Sequence, residues 1–226
     1  MEWVETTDRY VAFFDILGFK NLVFSEDHNT VLKKLNIINQ ATEKMMDPTL
    51  KFTNENNLAK DLSKVYKFSD SIIFISKSNS YDDFAKIIHD SYRFLQTSFE
   101  NEIPIKGVIS YGKITISEDN SMIFGKPIID AYLLQDELHI LSVVIDNYAE
   151  VEYAKFKNDN LQIKKVIFDE KVSFKSGKIR HKVIKPLGKV KEVCQERLKI
   201  MRLSCSGKTR LYYDNTEIFF QNYEII

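Results

Sequence analysis

The sequence predicts an α+β domain whose elements run β-α-β-β-α-β, followed by a C-terminal extension. Three observations carry that prediction. An apolar, aromatic-rich run, Tyr10 to Phe14, is punctuated by Gly18; apolar residues recur at helical spacing within Asn29 to Met46 and again from Phe84 to Phe99; and two short apolar runs, Val65 to Phe68 and Ile72 to Ile75, are parted by the polar triplet Ser69-Asp70-Ser71. With 226 residues, 44% of them hydrophobic, the chain can bury one sizeable core.

Taken in order, "YVAFF" reads as a buried strand, which sets Asp15 at its carboxyl end. Val31, Leu35, Ile38 and Met45 mark the first amphipathic helix, and "DPTLKFTNENNLAKD" after it reads as an exposed loop. "KVYKFSDSIIFIS" is a hairpin with Asp70 at or beside its tip. Phe84, Ile88, Tyr92, Leu95 and Phe99 form the stripe of a second helix that ends before Pro104. "IPIKGVISYGKITIS" is a long strand, and "SMIFGKPIIDAYLLQDELH" turns into a helix near Gly125 and Pro127. This order is the ferredoxin-like split arrangement, with both crossover helices on one face of an antiparallel sheet. The second face then needs a cover, either from the rest of the chain or from a second subunit. In that remainder "LSVVID", "LQIKKVIF" and "RLYYD" read as strands and "GKVKEVCQERLKIMRLS" as a helix. Residues 1–145 are expected to form the core that carries both aspartates, and residues 146–226 to complete the same domain.

Thirty-two basic residues balance thirty-two acidic ones, so no net field draws the chain to nucleic acid or to a membrane surface. Cys194 and Cys205 lack a Cys-x-x-Cys partner and lie among basic residues, which points to free thiols. With no signal-peptide pattern at the start and no long apolar run, the expectation is a soluble, cytoplasmic protein. His28, His89, His139 and His181 show no metal-ligand spacing, and "SCSGKTRLYY" lacks the earlier glycine of a P-loop. The "SDS" triplet has no nucleophile-elbow context.

The chemistry is expected at Asp15 and Asp70. Each alone reads as a helix cap or a turn residue. If the first strand and the hairpin are neighbours, however, the two carboxylates approach each other and repel unless cations lie between them. Hard divalent ions suit such oxygen ligands and in turn bind phosphates. "DILGFK" turns from strand toward helix at Gly18, and the N–H groups of Leu17, Gly18 and Phe19 are expected to be free to cradle a triphosphate.

These residues carry a family resemblance. "FFDILGF" resembles the first signature of the class III nucleotidyl cyclases, and "KFSDSIIF" resembles the second, a Gly-Asp pair at a hairpin tip, with Ser69 in the glycine's place. "IPIKGVISYGKI" is similar to the family's GI-x-x-G strand and "IFGKPIIDA" to the start of its following helix. The likeness spans roughly residues 10 to 140, in the family's order. It implies that Asp15 and Asp70, with the Ile16 carbonyl, bind two Mg²⁺ or Mn²⁺ ions, and that Phe14, Gly18, Phe19, Tyr66 and Lys208 meet the nucleotide.

Departures from the family pattern narrow the expectation. Purine cyclases commonly place a base-reading Lys or Glu where this chain has Tyr66, whereas size and motifs look like the small bacterial pyrimidine cyclases of antiphage signalling, the Pycsar type. That likeness implies a homodimer making cyclic UMP, less favourably cyclic CMP, for a separate effector. The family's ribose-contacting Asn and transition-state Arg are replaced by Ile129 and Leu133. Lys126 is the first substitute for the lost cation, ahead of Lys106, Arg180, Lys208 and Arg210. Two other readings stay open: a catalytically degenerate cyclase-like module that binds nucleotide or only dimerises, and an interaction domain whose aspartates merely cap and turn.

Overall fold

The computed structural model describes residues 3–46, 63–156 and 161–221. The first apolar run is the centre of strand β1 (Thr6–Ile16), and a turn leads to the short helix α1 (Phe19–Ser25) and the long helix α2 (His28–Met46). The hairpin is β2 (Ser63–Phe68) and β3 (Ser71–Ser76). Helix α3 (Tyr81–Glu100) starts at Ser80, whose hydroxyl accepts from the Asp83 N–H at 3.1 Å, and β4 (Ile105–Ile116) follows. These strands pair antiparallel in the order β2-β3-β1-β4, which is the ferredoxin-like order that the sequence predicts. The segment "DPTLKFTNENNLAKD" lies outside the described residues.

The centre of strand β1, Tyr10 to Phe14, is apolar without interruption because both of its faces are covered. Tyr10, Phe14 and Ile16 point into the main core, where the Phe14 ring meets those of Phe74 and Phe94, each at a centroid distance of 5.0 Å. Phe13 points to the other face and meets Tyr132 edge-on at 5.7 Å. Tyr132 belongs to helix α4 (Lys126–Glu137), which follows the two-residue strand β5 (Ile123–Phe124) beside β4. Gly125 lets α4 start tight against β4, since a Cβ there would lie 2.4 Å from the Lys113 carbonyl oxygen. Helix α4 is thus the cover of the second face over β1 and β4.

The C-terminal part corrects several expectations. Strand β6 (Val143–Ile145), the strand that "LSVVID" predicts, runs parallel to β4. Helix α5 (Asn147–Lys155), capped by Asp146, has no counterpart in the sequence reading. "LQIK" is the helical turn α6 (Leu161–Lys164), and the strand begins only at Ile167, as β7 (Ile167–Phe174). It is paired with β8 (Gly177–Ile184), which the sequence reading missed. The sheet therefore continues β4-β6-β8-β7. Helix α7 (Gly188–Leu203) is the one expected, but "RLYYD" lies inside helix α8 (Gly207–Gln221) and not in a strand. Cys194, Leu198, Phe219 and Phe220 join the core beside α3, with Phe220 and Phe99 at 5.7 Å. The remainder of the chain thus extends the sheet and adds to the α3 side rather than closing the second face. Cys194 and Cys205 are free thiols. Among the described residues, no helix is long and apolar enough to cross a membrane.

Candidate active site

Asp15 is the penultimate residue of β1, and the sheet register sets it between Ser71 of β3 and Lys106 of β4. Asp70 is the second residue of the two-residue turn between the paired residues Phe68 and Ser71. Ser69, the first, has φ 57, the left-handed conformation that favours glycine, so Ser69 adopts a backbone shape suited to the Gly of a Gly-Asp tip. The Ile16 N–H donates to the Asp70 carbonyl at 3.3 Å, which ties the end of β1 to the hairpin tip. The adjacency of the two aspartates that the sequence argument required is therefore present.

Asp15 is half-buried, and burial pushes its carboxyl above the usual carboxylate range; the carboxylates of Asp70 and Asp136 push the same way, against Lys106 and the Gln135 side chain. Lys106 is almost wholly buried, and its ammonium is held below the usual lysine range by that burial, against the pull of Asp15 and Asp136. Its Nζ donates to the Gln135 carbonyl at the end of α4, at 3.0 Å, and sits 5.3 Å from the ring centre of Tyr212 in α8. The sequence reading missed Gln135 and Tyr212 and counted Lys106 only among substitute cations. One signal pointed to Lys106: a lysine inside the apolar run "IPIKGVIS" must find a partner. Lys175 in the β7–β8 turn bonds Asp136 at 2.6 Å, and His139 packs on Tyr212 at 4.8 Å.

The other expected residues divide. Gly18 is exposed with φ 78 at the start of α1, and with Phe19 it lines a cleft of about 640 Å³ bounded by α1, α2 and the ends of α7 and α8. The Leu17 N–H is not free for phosphate, because it donates to the Pro104 carbonyl at 2.8 Å. Phe14 is completely buried on the face opposite Asp15, which leaves it no surface for a nucleotide; it is a core residue. Tyr66 shares the sheet face of Asp15, in the cross-strand row of Phe13 and Ile73, and its hydroxyl donates to Asn120 at 3.2 Å. Two strand spacings and two residues along put it roughly 12 Å from Asp15. Lys208 is exposed in the first turn of α8, one turn before Tyr212 and close enough to His139 to help hold that imidazole below its usual range, after burial, Lys106 and Lys175.

Lys126 is not brought to Asp15 within this chain. It opens α4 beside Gly112 and Lys113, bonds Asp130 and lies 4.3 Å from the Tyr148 ring centre, whereas Gln135 at the other end of α4, about 14 Å away, faces Asp15. Ile129 and Leu133 are exposed on α4, with Tyr132 between them. Arg180 bonds Asp169 at 3.0 Å, and Arg210 lies 3.9 Å from Asp214.

Among the described residues, no group of three or more His, Cys, Asp and Glu is poised around a metal. Two carboxylates with main-chain oxygen beside them do fit Mg²⁺ or Mn²⁺ in the mode in which water and substrate phosphates complete the coordination. The anionic cost at Asp15, raised by burial and by Asp70, is the kind that a divalent cation relieves.

No family model and no curated sequence relative matches the chain. Solved structures do. A guanylyl cyclase domain of the RhoGC fusion protein from the aquatic fungus Blastocladiella emersonii, in dimeric form, superposes with TM-score 0.56 at 10% identity, over 80% of this chain and 98% of that one. The catalytic core of a rhodopsin-guanylyl cyclase with converted specificity, in complex with ATPalphaS, gives 0.53 at 11% identity over the same shares. A bacterial light-regulated adenylyl cyclase gives 0.50 at 12% identity, over 88% of this chain and all of that one. The β1–β4 unit, the hairpin tip beside Asp15 and the helices around them are thus arranged in the class III cyclase catalytic fold.

Proposed function

We propose that the protein is a metal-dependent nucleotide cyclase that converts a pyrimidine nucleoside triphosphate, UTP before CTP, to the 3′,5′-cyclic monophosphate and pyrophosphate. The observation that carries this reading is the meeting of Asp15 and Asp70 at one corner of a cyclase fold. Asp15, Asp70 and the Ile16 carbonyl would hold two Mg²⁺ or Mn²⁺ ions, which supply positive charge at the phosphates and acidify the ribose 3′-hydroxyl. The 3′-oxygen then attacks the α-phosphorus, pyrophosphate leaves, and the hydroxyl proton passes to solvent. Gly18 and Phe19 offer main chain to the phosphates, and Lys208 offers a mobile cation. Tyr66, on the same sheet face, stacks on or hydrogen-bonds the base without the charge that purine readers use. A symmetric pair of chains completes the site, with the exposed α4 face of each, Lys126 included, turned to the other. The product serves as a second messenger for a separate effector in antiphage defence, a role that rests on likeness to the small bacterial pyrimidine cyclases.

A second reading, a cyclase-like module that binds nucleotide without turnover, is favoured by Ile129 and Leu133, which place no polar group on the exposed face of α4. Incubation with each of the four NTPs and Mn²⁺, beside Asp15→Ala and Asp70→Ala, separates the two. Cyclic UMP or CMP from the wild type alone supports the cyclase. Metal-dependent NTP binding without product supports the module, and product unaffected by both substitutions removes the site.

A further inference from the structure

We propose that Lys106 is the built-in counter-charge of the Asp15–Asp70 pair, a positioning residue that Gln135 clamps beside Asp15 and that keeps the two carboxylates together before divalent cations arrive. This rests on the reading of the two aspartates as metal ligands. Lys106 lies directly across from Asp15 on β4, so both side chains leave the sheet on one face. Lys106 is 3% exposed, so its ammonium has little water to satisfy it. It is fixed by the Gln135 carbonyl and the Tyr212 ring, while the Gln135 side chain helps to stabilise the Asp15 carboxylate. Gln135 is itself 3% exposed, so one buried residue holds the cation by its main chain and sets its amide where it favours the Asp15 carboxylate. Asp136 and Glu137, the other acids at this corner, are served by Lys175, at 2.6 Å and 3.8 Å. Among the acids around Lys106, Asp15 acts on it most strongly, ahead of Asp136 and Glu137. The closing turn of α4 presents carbonyl groups with partial negative charge, which strengthens its hold on the ammonium.

A plain structural strut would look similar but behave differently. If Lys106 serves only to tie β4 to the end of α4, its loss costs the same whatever stands at position 15. If it is a counter-charge, its loss leaves a half-buried carboxylate beside Asp70 and Asp136 with only the Gln135 amide to oppose them, and the damage depends on Asp15 being an acid.

The test is a thermal-melt cycle in EDTA with the wild type, Lys106→Met, Asp15→Asn and the double variant, together with Lys106→Arg. The expected result is a loss of roughly 5–10 °C for Lys106→Met when Asp15 is present and a much smaller loss in the Asp15→Asn background. Lys106→Arg, which keeps the charge, should melt near the wild type, and Mn²⁺ should raise the melting temperature of Lys106→Met by more than that of the wild type. Equal losses in both backgrounds overturn the proposal. If Lys106→Met does not fold, a folded double variant supports the counter-charge, and an unfolded one overturns it. The cycle needs neither substrate nor turnover. Coupling in a protein that makes no cyclic nucleotide would leave the counter-charge standing and the cyclase reading fallen; turnover without coupling would do the reverse.

Discussion

Replacing Ile129 and Leu133 together by aspartate should abolish self-association and leave the protomer folded. The two side chains are 59% and 57% exposed on α4, one turn apart, so each has over half of its apolar surface still to bury. Full burial of such a residue is worth about 2 kcal/mol, so the exposed share is worth roughly 1 kcal/mol each. A two-fold interface uses both residues from both copies, which brings the total to about 4–5 kcal/mol, a factor of 10³ or more in the dimer dissociation constant. The aspartates add the cost of desolvating charge. Within the protomer the same changes should cost about 1 kcal/mol, mostly helix propensity, or a few degrees of melting temperature. Sedimentation velocity across a concentration series reads the first effect and thermal melting the second. A dimer that persists at unchanged affinity would refute the argument that this face is turned to a second copy. A protomer that unfolds would refute the reading of these side chains as solvent-facing.

Two further outcomes follow from packing. Phe14→Ala should cost about 3–5 kcal/mol, because the ring is fully buried between Phe74 and Phe94, and should lower the melting temperature without a local effect on Mn²⁺ affinity. Burial, with Glu100 nearby, pushes the Cys194 thiol up to about 12, so at pH 8 a thiol reagent should titrate only the half-buried Cys205 in native protein and both cysteines in urea; two fast thiols in the native state would contradict the buried placement of Cys194.

The β1–β4 unit was legible because each element has an unambiguous local cause. Tyr10 to Phe14 is covered on both faces and so is apolar without interruption, and Phe84, Ile88, Leu95 and Phe99 keep helical period over four turns. In the last third of the chain the local signals are weaker. Helix α5 buries Ala149 alone, too little to show a period. "RLYYD" looks β-like by residue type, and only the wider spacing of Tyr213, Thr216 and Phe220 reveals the helix that buries them. The candidate site divides the same way. Asp15 and Asp70 were readable because topology alone makes them neighbours. Gln135 and Tyr212 were not, since they reach the site from a helix end and from a helix that looked like a strand.

The proposed chemistry needs Asp15 and Asp70 to share divalent cations. Crystals grown with Mn²⁺ and a non-cyclisable UTP analogue, measured at the manganese absorption edge, test it most directly. Anomalous peaks are expected within coordination distance of both carboxylates, against the analogue's phosphates, and none in Asp15→Ala crystals grown the same way. Nucleotide bound with no peak at either aspartate, or peaks that survive the substitution, would contradict it.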